Sequence, residues 1–320
     1  MYREIIRSKW FGFSAGLVFI LLILPLFLPR FYVYILALIY VTSLLAMSLN
    51  LVVGHGGLFQ FHHGVFYGVA AYTIALMLKK TSLPMWTGFI AGPIAAAIIG
   101  LIIGWFCVRL SRLYFGMLQI SLGSLIWVIV FRWYSFTGGD DGIPGIPMPP
   151  ILSSSKNSYY FILIIFVICM ILIYMILKSP FGNTLQAIRD NPQRCEVIGI
   201  NVRHYQLIAI VIATFFAGVA GVLFVVLERS VFTELLFWTL SLEIFIMCLL
   251  GGWFTFAGPV LGAAMIVALR TFVGIFTEYW TLILGVVLIL LIFFLPEGVM
   301  GFFQEKFKPR TREASKGGSG

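Results

Sequence analysis

The run YYFILIIFVICMILIYMIL, Tyr159 to Leu177, constrains this chain more than any other feature. It is continuous, apolar and free of charge. A membrane-crossing helix takes roughly 20 such residues. Backbone amides find no partner in hydrocarbon, so a spanning segment is either helical or part of a closed barrel. Barrel strands are alternating segments of roughly 10 residues. This run is about twice that length and does not alternate, so it reads as a helix. Comparable runs recur from Phe11 to Phe303, and 61% of the 320 residues are hydrophobic while only 10% are charged. The sequence therefore predicts an all-α, polytopic transmembrane helical bundle.

About ten spans fit, at 11–29, 31–53, 58–78, 87–108, 113–132, 158–177, 204–227, 235–250, 257–275 and 279–296. Eight or nine fit as well, because glycine-rich interruptions within 31–78 and 235–275 suit broken or re-entrant segments. Cytoplasmic loops collect Lys and Arg. With the amino terminus inside, 14 of the 21 Lys and Arg residues fall on that side and seven on the other. This bias predicts that both termini are cytoplasmic. It also accounts for the net charge of +9 without nucleic acid.

No cleavable signal peptide is expected, since the Phe11–Leu28 run is long and lacks a small-residue cleavage pattern. Cys107, Cys169, Cys195 and Cys248 stand singly, which suggests neither a disulfide framework nor a zinc site. Residues 1–303 form the membrane domain. Residues 304–320 form a basic, flexible tail ending in SKGGSG.

Two polar interruptions divide the apolar text. The outer one, 133–158, carries TGGDDGIPGIPMPP, a run of turn formers in which Asp140 and Asp141 are the acids. The inner one, 178–204, contains Phe181, Leu185 and Ile188 at helical spacing. Cys195 and Ile198 are expected to extend that face beyond a bend at Asn191-Pro192. This is a short amphipathic helix lying outside the bilayer, with apolar residues free to dock into a protein.

Within the membrane text, GHGGLFQFHHG (Gly54 to Gly64) concentrates glycine and histidine. It reads either as a broken helix exposing backbone to a polar solute or as close helix packing. A metal site from His55, His62 and His63 is disfavoured, because adjacent helical histidines diverge and no acid or cysteine lies near. Glu243, inside LSLEIFIMCLLGG, is expected to face an aqueous path, a polar partner or a helix end. Gly251, Gly252, Gly258 and Pro259 suit close packing with an irregular gate. No phosphate-binding GK[ST] loop, HExxH or linked Ser-His-Asp set occurs. The chain is not expected to hydrolyse ATP or to act as an enzyme.

Three segments together resemble the permease subunits of bacterial ABC importers for branched-chain amino acids, of the LivM-like type. In GHGGLFQFHHGVFYGVAAY, the residues Gly54, Gly57, His63, Phe66, Gly68, Ala71 and Tyr72 match the family pattern. Gln60, His62, Tyr67 and Ala70 depart from it. In the outer loop, Thr137, Gly138, Gly139, Gly142, Ile143, Gly145, Ile146 and Pro147 match. From Ser179 to Ala263 the matches include Phe181, Gly182, Ala187, Ile188, Arg189, Gly199, Ser241, Glu243 and the Gly251–Ala263 run GG…GPVLGA.

The resemblance implies a permease half of an ATP-driven importer in the bacterial inner membrane. A second homologous permease would complete a heterodimer, and two cytoplasmic ATPases would carry ATP and Mg. A periplasmic binding protein would deliver solute, and this chain itself would bind no cofactor. The helix within 178–204, with Phe181, Gly182, Ala187, Ile188, Arg189 and Gly199, would couple to the ATPases. Gly54, Gly57, His63, Tyr72, Glu243, Gly251, Gly252, Gly258 and Pro259 would line the pathway or gate. Thr137 to Asp141 would form the outer element. Branched-chain or other hydrophobic amino acids are the expected solute. Urea, short amides or other amino acids are the alternative, and a stand-alone secondary transporter or channel is the alternative mechanism.

Overall fold

The structure, a computed structural model, describes residues 21–81, 84–110, 112–276, 279, 282–283, 285–286, 289 and 298–301. The described part is helical, with no strand beyond one isolated bridge between Ile143 and Val231. Helix α1 is seen over 21–27. It is followed by α2 (Arg30–Asn50), α3 (Gly64–Lys80), α4 (Met85–Cys107), α5 (Arg112–Arg132), α6 (Tyr134–Thr137) and α7 (Ser155–Lys178). Two short helices come next, α8 (Pro180–Asp190) and α9 (Pro192–Val197). Then come α10 (Val202–Glu228), α11 (Trp238–Gly251) and α12 (Gly258–Phe276).

Six helical stretches among the described residues are long and apolar enough to cross a membrane: 30–55, 86–107, 113–132, 155–178, 202–228 and 258–276. The 24 residues of α7 rise about 36 Å at 1.5 Å each, enough for a hydrocarbon layer of about 30 Å. The expected spans at 58–78 and 235–250 are shorter than a full crossing. They are the 17-residue α3 and the 14-residue α11. The expected spans at 11–29 and 279–296 lie mostly outside the described residues, as does the 304–320 tail.

Helices α3, α4 and α10 pack on one another most extensively, and small residues permit it. A Cβ on Gly218 would stand 2.7 Å from Cα of Pro93, and one on Gly221 would overlap the Tyr67 carbonyl. Lipid supplies no hydrophobic drive between spans, so backbone approach of this kind replaces it. The faces left outward on α4 and α5 are apolar, with Ile90, Ile94, Ile98, Met117, Leu125 and Ile129 exposed.

Local chemistry sets the polar connection from α7 to α10. Ser179 caps α8 by accepting from Gly182 N, with Pro180 at the first turn. Asn191 repeats this for α9, accepting from Arg194 N with Pro192 behind it, and Asn201 caps α10 through His204 N. Leu185, Ile188 and Cys195 turn inward as the spacing predicts. Ile198 does not: it is 74% exposed, because α9 ends at Val197 and the chain turns through Gly199 at φ +89°.

Candidate functional site

Two helices are broken, and the breaks meet. Helix α2 continues as a π-helical turn, Leu51–His55, that ends beside α8. From there the chain does not stay at that face. It climbs back without helical structure through 58–60 and turns at 61–63. His63 then bonds Ser48, with Nε2 to Oγ at 2.8 Å. Ser48 lies about two turns above His55 on the α2 path. Helix α3 begins there and rises to the far face. At that face Lys79 and Lys80 donate to carbonyls of Pro144, Ser135 and Phe136.

The second break runs the opposite way. Helix α10 carries the chain from the α8 side to the far face, where Glu228 accepts a hydrogen bond from Tyr34 of α2. Arg229 there adopts φ +54° and donates to the Ser153 carbonyl at 2.6 Å. The chain then turns inward, with Val231 bridged to Ile143, through a 3₁₀ turn at Thr233–Leu236. Helix α11 starts within the bundle and returns to the α8 side. Gly64 N donates to Ser241 Oγ at 2.8 Å, and Gly68 leaves room for Leu236. The amino-terminal ends of α3 and α11 therefore converge in the interior. Helix amino termini carry partial positive charge and free N–H groups.

The segment after Gly57 is pinned from both sides. The Ser48 hydroxyl proton goes to Leu45 O at 2.7 Å. His63 must then donate through Nε2. His62 faces the other way: its ring lies against α5, where a Cβ on Gly123 would stand 2.6 Å from the ring Cγ. Its backbone N donates to Gln119 Oε1 at 3.2 Å. Phe61 packs on Gly116 in the same manner. Gly116, Gln119 and Gly123 form one stripe of α5 on which 59–62 lies. His55 bonds the Asn50 carbonyl instead, so the three histidines diverge. No cluster of metal ligands occurs among the described residues.

Beneath the breaks sits α8. Arg189 Nη1 donates to the Gly54 carbonyl at 2.8 Å, and its guanidinium lies 5.0 Å from the centre of the Phe254 ring. Leu185 packs toward Gly56, and Arg189 toward Gly57. A cavity of about 280 Å³ opens here, lined in part by His55, Tyr174, Lys178, Gln186, Arg189 and Phe254. Gly182 is tight against the Leu177 carbonyl, which lets α8 fold under α7. Phe181 stacks on Tyr205 at 5.7 Å, and Ile188 is buried with Cys195 and Val202. On the opposite side of α8, Asn183, Ala187 and Asp190 are exposed.

The remaining expected residues are not brought together. Gly251, Gly252, Gly258 and Pro259 form the crossing of α11 and α12. There a Cβ on Gly251 would strike the Gly258 carbonyl, and Gly258 N donates to Thr255 Oγ1 at 3.1 Å. Glu243 stands 3.9 Å from Arg270, and Tyr72 is buried further along α3. The outer element is a turn. Gly138, Gly139, Gly142 and Gly145 all have positive φ, and Thr137 Oγ1 closes it onto the Val130 carbonyl at 2.6 Å. Asp140 and Asp141 are exposed, and Tyr134 donates to Asp141 at 2.5 Å. That bond, with the carboxylate's charge, raises the Tyr134 pKa. Sequence reasoning missed Gln119, Gly116, Gly123 and Ser48. The signal for the first three was a Gly-x2-Gln-x3-Gly spacing inside an apolar helix.

The profile of the family described as branched-chain amino acid transport system / permease component matches residues 11–292. The high-affinity branched-chain amino acid transport system permease protein LivM of Escherichia coli is 27% identical, covering 94% of this chain and 77% of that protein. A probable LivM of Methanocaldococcus jannaschii is 24% identical over 65% of this chain and 66% of its own length. LivH of Salmonella typhimurium is 25% identical over 81% of this chain and 91% of its own length. No solved structure gives a significant match.

Proposed function

This chain belongs to the family of branched-chain amino acid transport system permease components, and from that premise we propose that it is the permease half of an ATP-driven importer moving branched-chain or other hydrophobic amino acids into the cytoplasm. A second, homologous permease pairs with it. Two separate ATPases supply the energy, and an external binding protein delivers solute. The α8 face is cytoplasmic: it carries Arg109, Lys178, Arg189, Arg194 and Arg203, in keeping with the excess of basic residues on that side.

The observation that carries this reading is the seat of α8. One face grips both the Gly54 carbonyl of the first break and Phe254 beyond the second. The other face, with Asn183, Ala187 and Asp190, is exposed to a partner. A push on α8 therefore reaches the first break directly at Gly54 and the second through Phe254 and the length of α11. The converging amino termini of α3 and α11 suit a carboxylate passing through the interior, and the apolar surroundings suit an aliphatic side chain.

The test is reconstitution with the second permease, the ATPases and the binding protein. Leucine uptake is expected to require ATP and the binding protein together. Ion-driven uptake by this chain alone would overturn the reading.

A further inference from the structure

The bundle interior holds more polar atoms than it pairs. Among the described residues, Nδ1 and Nε2 of His62, Nε2 of Gln119 and Oε1 of Gln60 are buried with no hydrogen-bond partner. His62, Gln119 and Gln60 are each 1% exposed. Buried polar groups are nearly always paired, because leaving one orphaned forfeits its hydration for nothing. His62 and Gln119 meet through the His62 backbone N, so three of these orphans lie together, with Gln60 two residues away in the chain, and they call for an occupant.

Their chemistry is defined. Gln119 Oε1 accepts from the backbone N of His62. That contact needs an acceptor, so the free end of the amide is the N–H₂ donor. A neutral His62 ring offers one further donor and one acceptor, and Gln60 Oε1 offers an acceptor. No Asp, Glu, Lys or Arg lies within the 58–68 segment or the 113–131 stretch of α5. The set therefore has donors for a carboxylate and acceptors for an ammonium group, but no formal charge of its own.

We propose that Gln119 and His62, with Gln60, form the interior site that holds the head group of a net-neutral zwitterion, an α-amino acid, as it passes the crossing of the two breaks. The proposal rests on the transport function and adds its point of contact. The glycines explain why the site sits here. Gly116 and Gly123 flank Gln119 and bring segment 59–62 close against α5, so movement of that segment carries His62 and Gln60 away from Gln119 and opens the site.

The experiment places a thiol at the site in the assembled importer, using Gln119→Cys. The native cysteines Cys107, Cys169, Cys195 and Cys248 are all buried, so the wild-type protein serves as the background. A small methanethiosulfonate reagent should label the variant faster than wild type during ATP turnover. Leucine supplied at saturation with its binding protein, and held in this variant by His62 and Gln60, should slow that labelling. A second variant, Gln119→Met, keeps volume and removes the hydrogen bonds, and should cut leucine uptake about tenfold at equal membrane abundance. Labelling no faster than wild type, or labelling that leucine does not slow, overturns the site even if uptake falls, because a structural glutamine would lose uptake without solute protection. If the wild-type importer takes up leucine and either labelling result fails, the site is wrong and the transport function stands. If the wild-type importer moves no amino acid, both fall.

Discussion

Arg189 serves three partners with one planar group. It donates to the Gly54 carbonyl, lies over Phe254 and donates through Nε and Nη2 to Asp190. Lysine has no such fork, so Arg189→Lys is not conservative here. Both Arg189→Lys and Arg189→Ala should lower the amount of solute moved per ATP, by about tenfold for alanine. Parallel assays of uptake and phosphate release measure that ratio, and an unchanged ratio counts against the link. At the opposite face, Tyr134 donates to the Asp141 carboxylate, and its pKa is raised. The bond is made by the neutral phenol. Its stabilising effect is therefore present below the unfolded tyrosine value and is lost as pH rises through the higher folded value. Asp141→Asn should lower the Tyr134 pKa. An ultraviolet titration differenced against Tyr134→Phe reads the shift, and no downward movement would contradict the contact.

Among elements, the connection from α7 to α10 was legible because its signals are local. Ser179-Pro180, Asn191-Pro192 and Asn201 each place a cap or a first-turn proline within a few residues of the helix they start. The interior stripe of α5 was not legible. Gln119 meets His62 across 57 positions, and although Gly116, Gln119 and Gly123 mark one face by their spacing, nothing near them tells which segment will cover it. The Ile198 expectation failed for a related reason: periodicity was carried past a helix end that Gly199 enforces. The stripe makes a stability prediction. A Cβ on Gly123 would stand 2.6 Å from the His62 ring, whereas one on Gly274 of α12 meets nothing. Gly123→Ala should cost about 1–3 kcal/mol by overpacking. Gly274→Ala should be neutral or stabilising by up to about 1 kcal/mol through helix propensity. Thermal unfolding in one detergent compares the two, and equal midpoints would refute the docking.

At the scale of the molecule, the all-helical membrane bundle was readable from the apolar runs alone. The first break was readable as glycine-rich text; the second, at 229–237, holds no glycine, and it and the relation of the two were not readable. One break enters from the α8 face and the other from the opposite face. Each yields a helix that begins in the interior. That opposition depends on Gly64 meeting Ser241, a pairing that neither segment's composition encodes. The proposed sidedness rests on the basic residues and is open to direct test. Lys156 and Lys178 belong to the two ends of α7. In intact cells, an impermeant thiol reagent should label Lys156→Cys and leave Lys178→Cys untouched until the membrane is opened. The reverse pattern would invert the topology.

The site proposed at the crossing, Gln119 with His62 and Gln60, offers amides and an imidazole rather than ions. This has an electrical consequence. Moving one elementary charge through a membrane potential of 100 mV is worth about 2.3 kcal/mol. A zwitterion held by uncharged groups does no net work of that kind when it crosses. On that proposal, carriage of the solute itself does no electrical work, and the membrane potential neither assists nor opposes it.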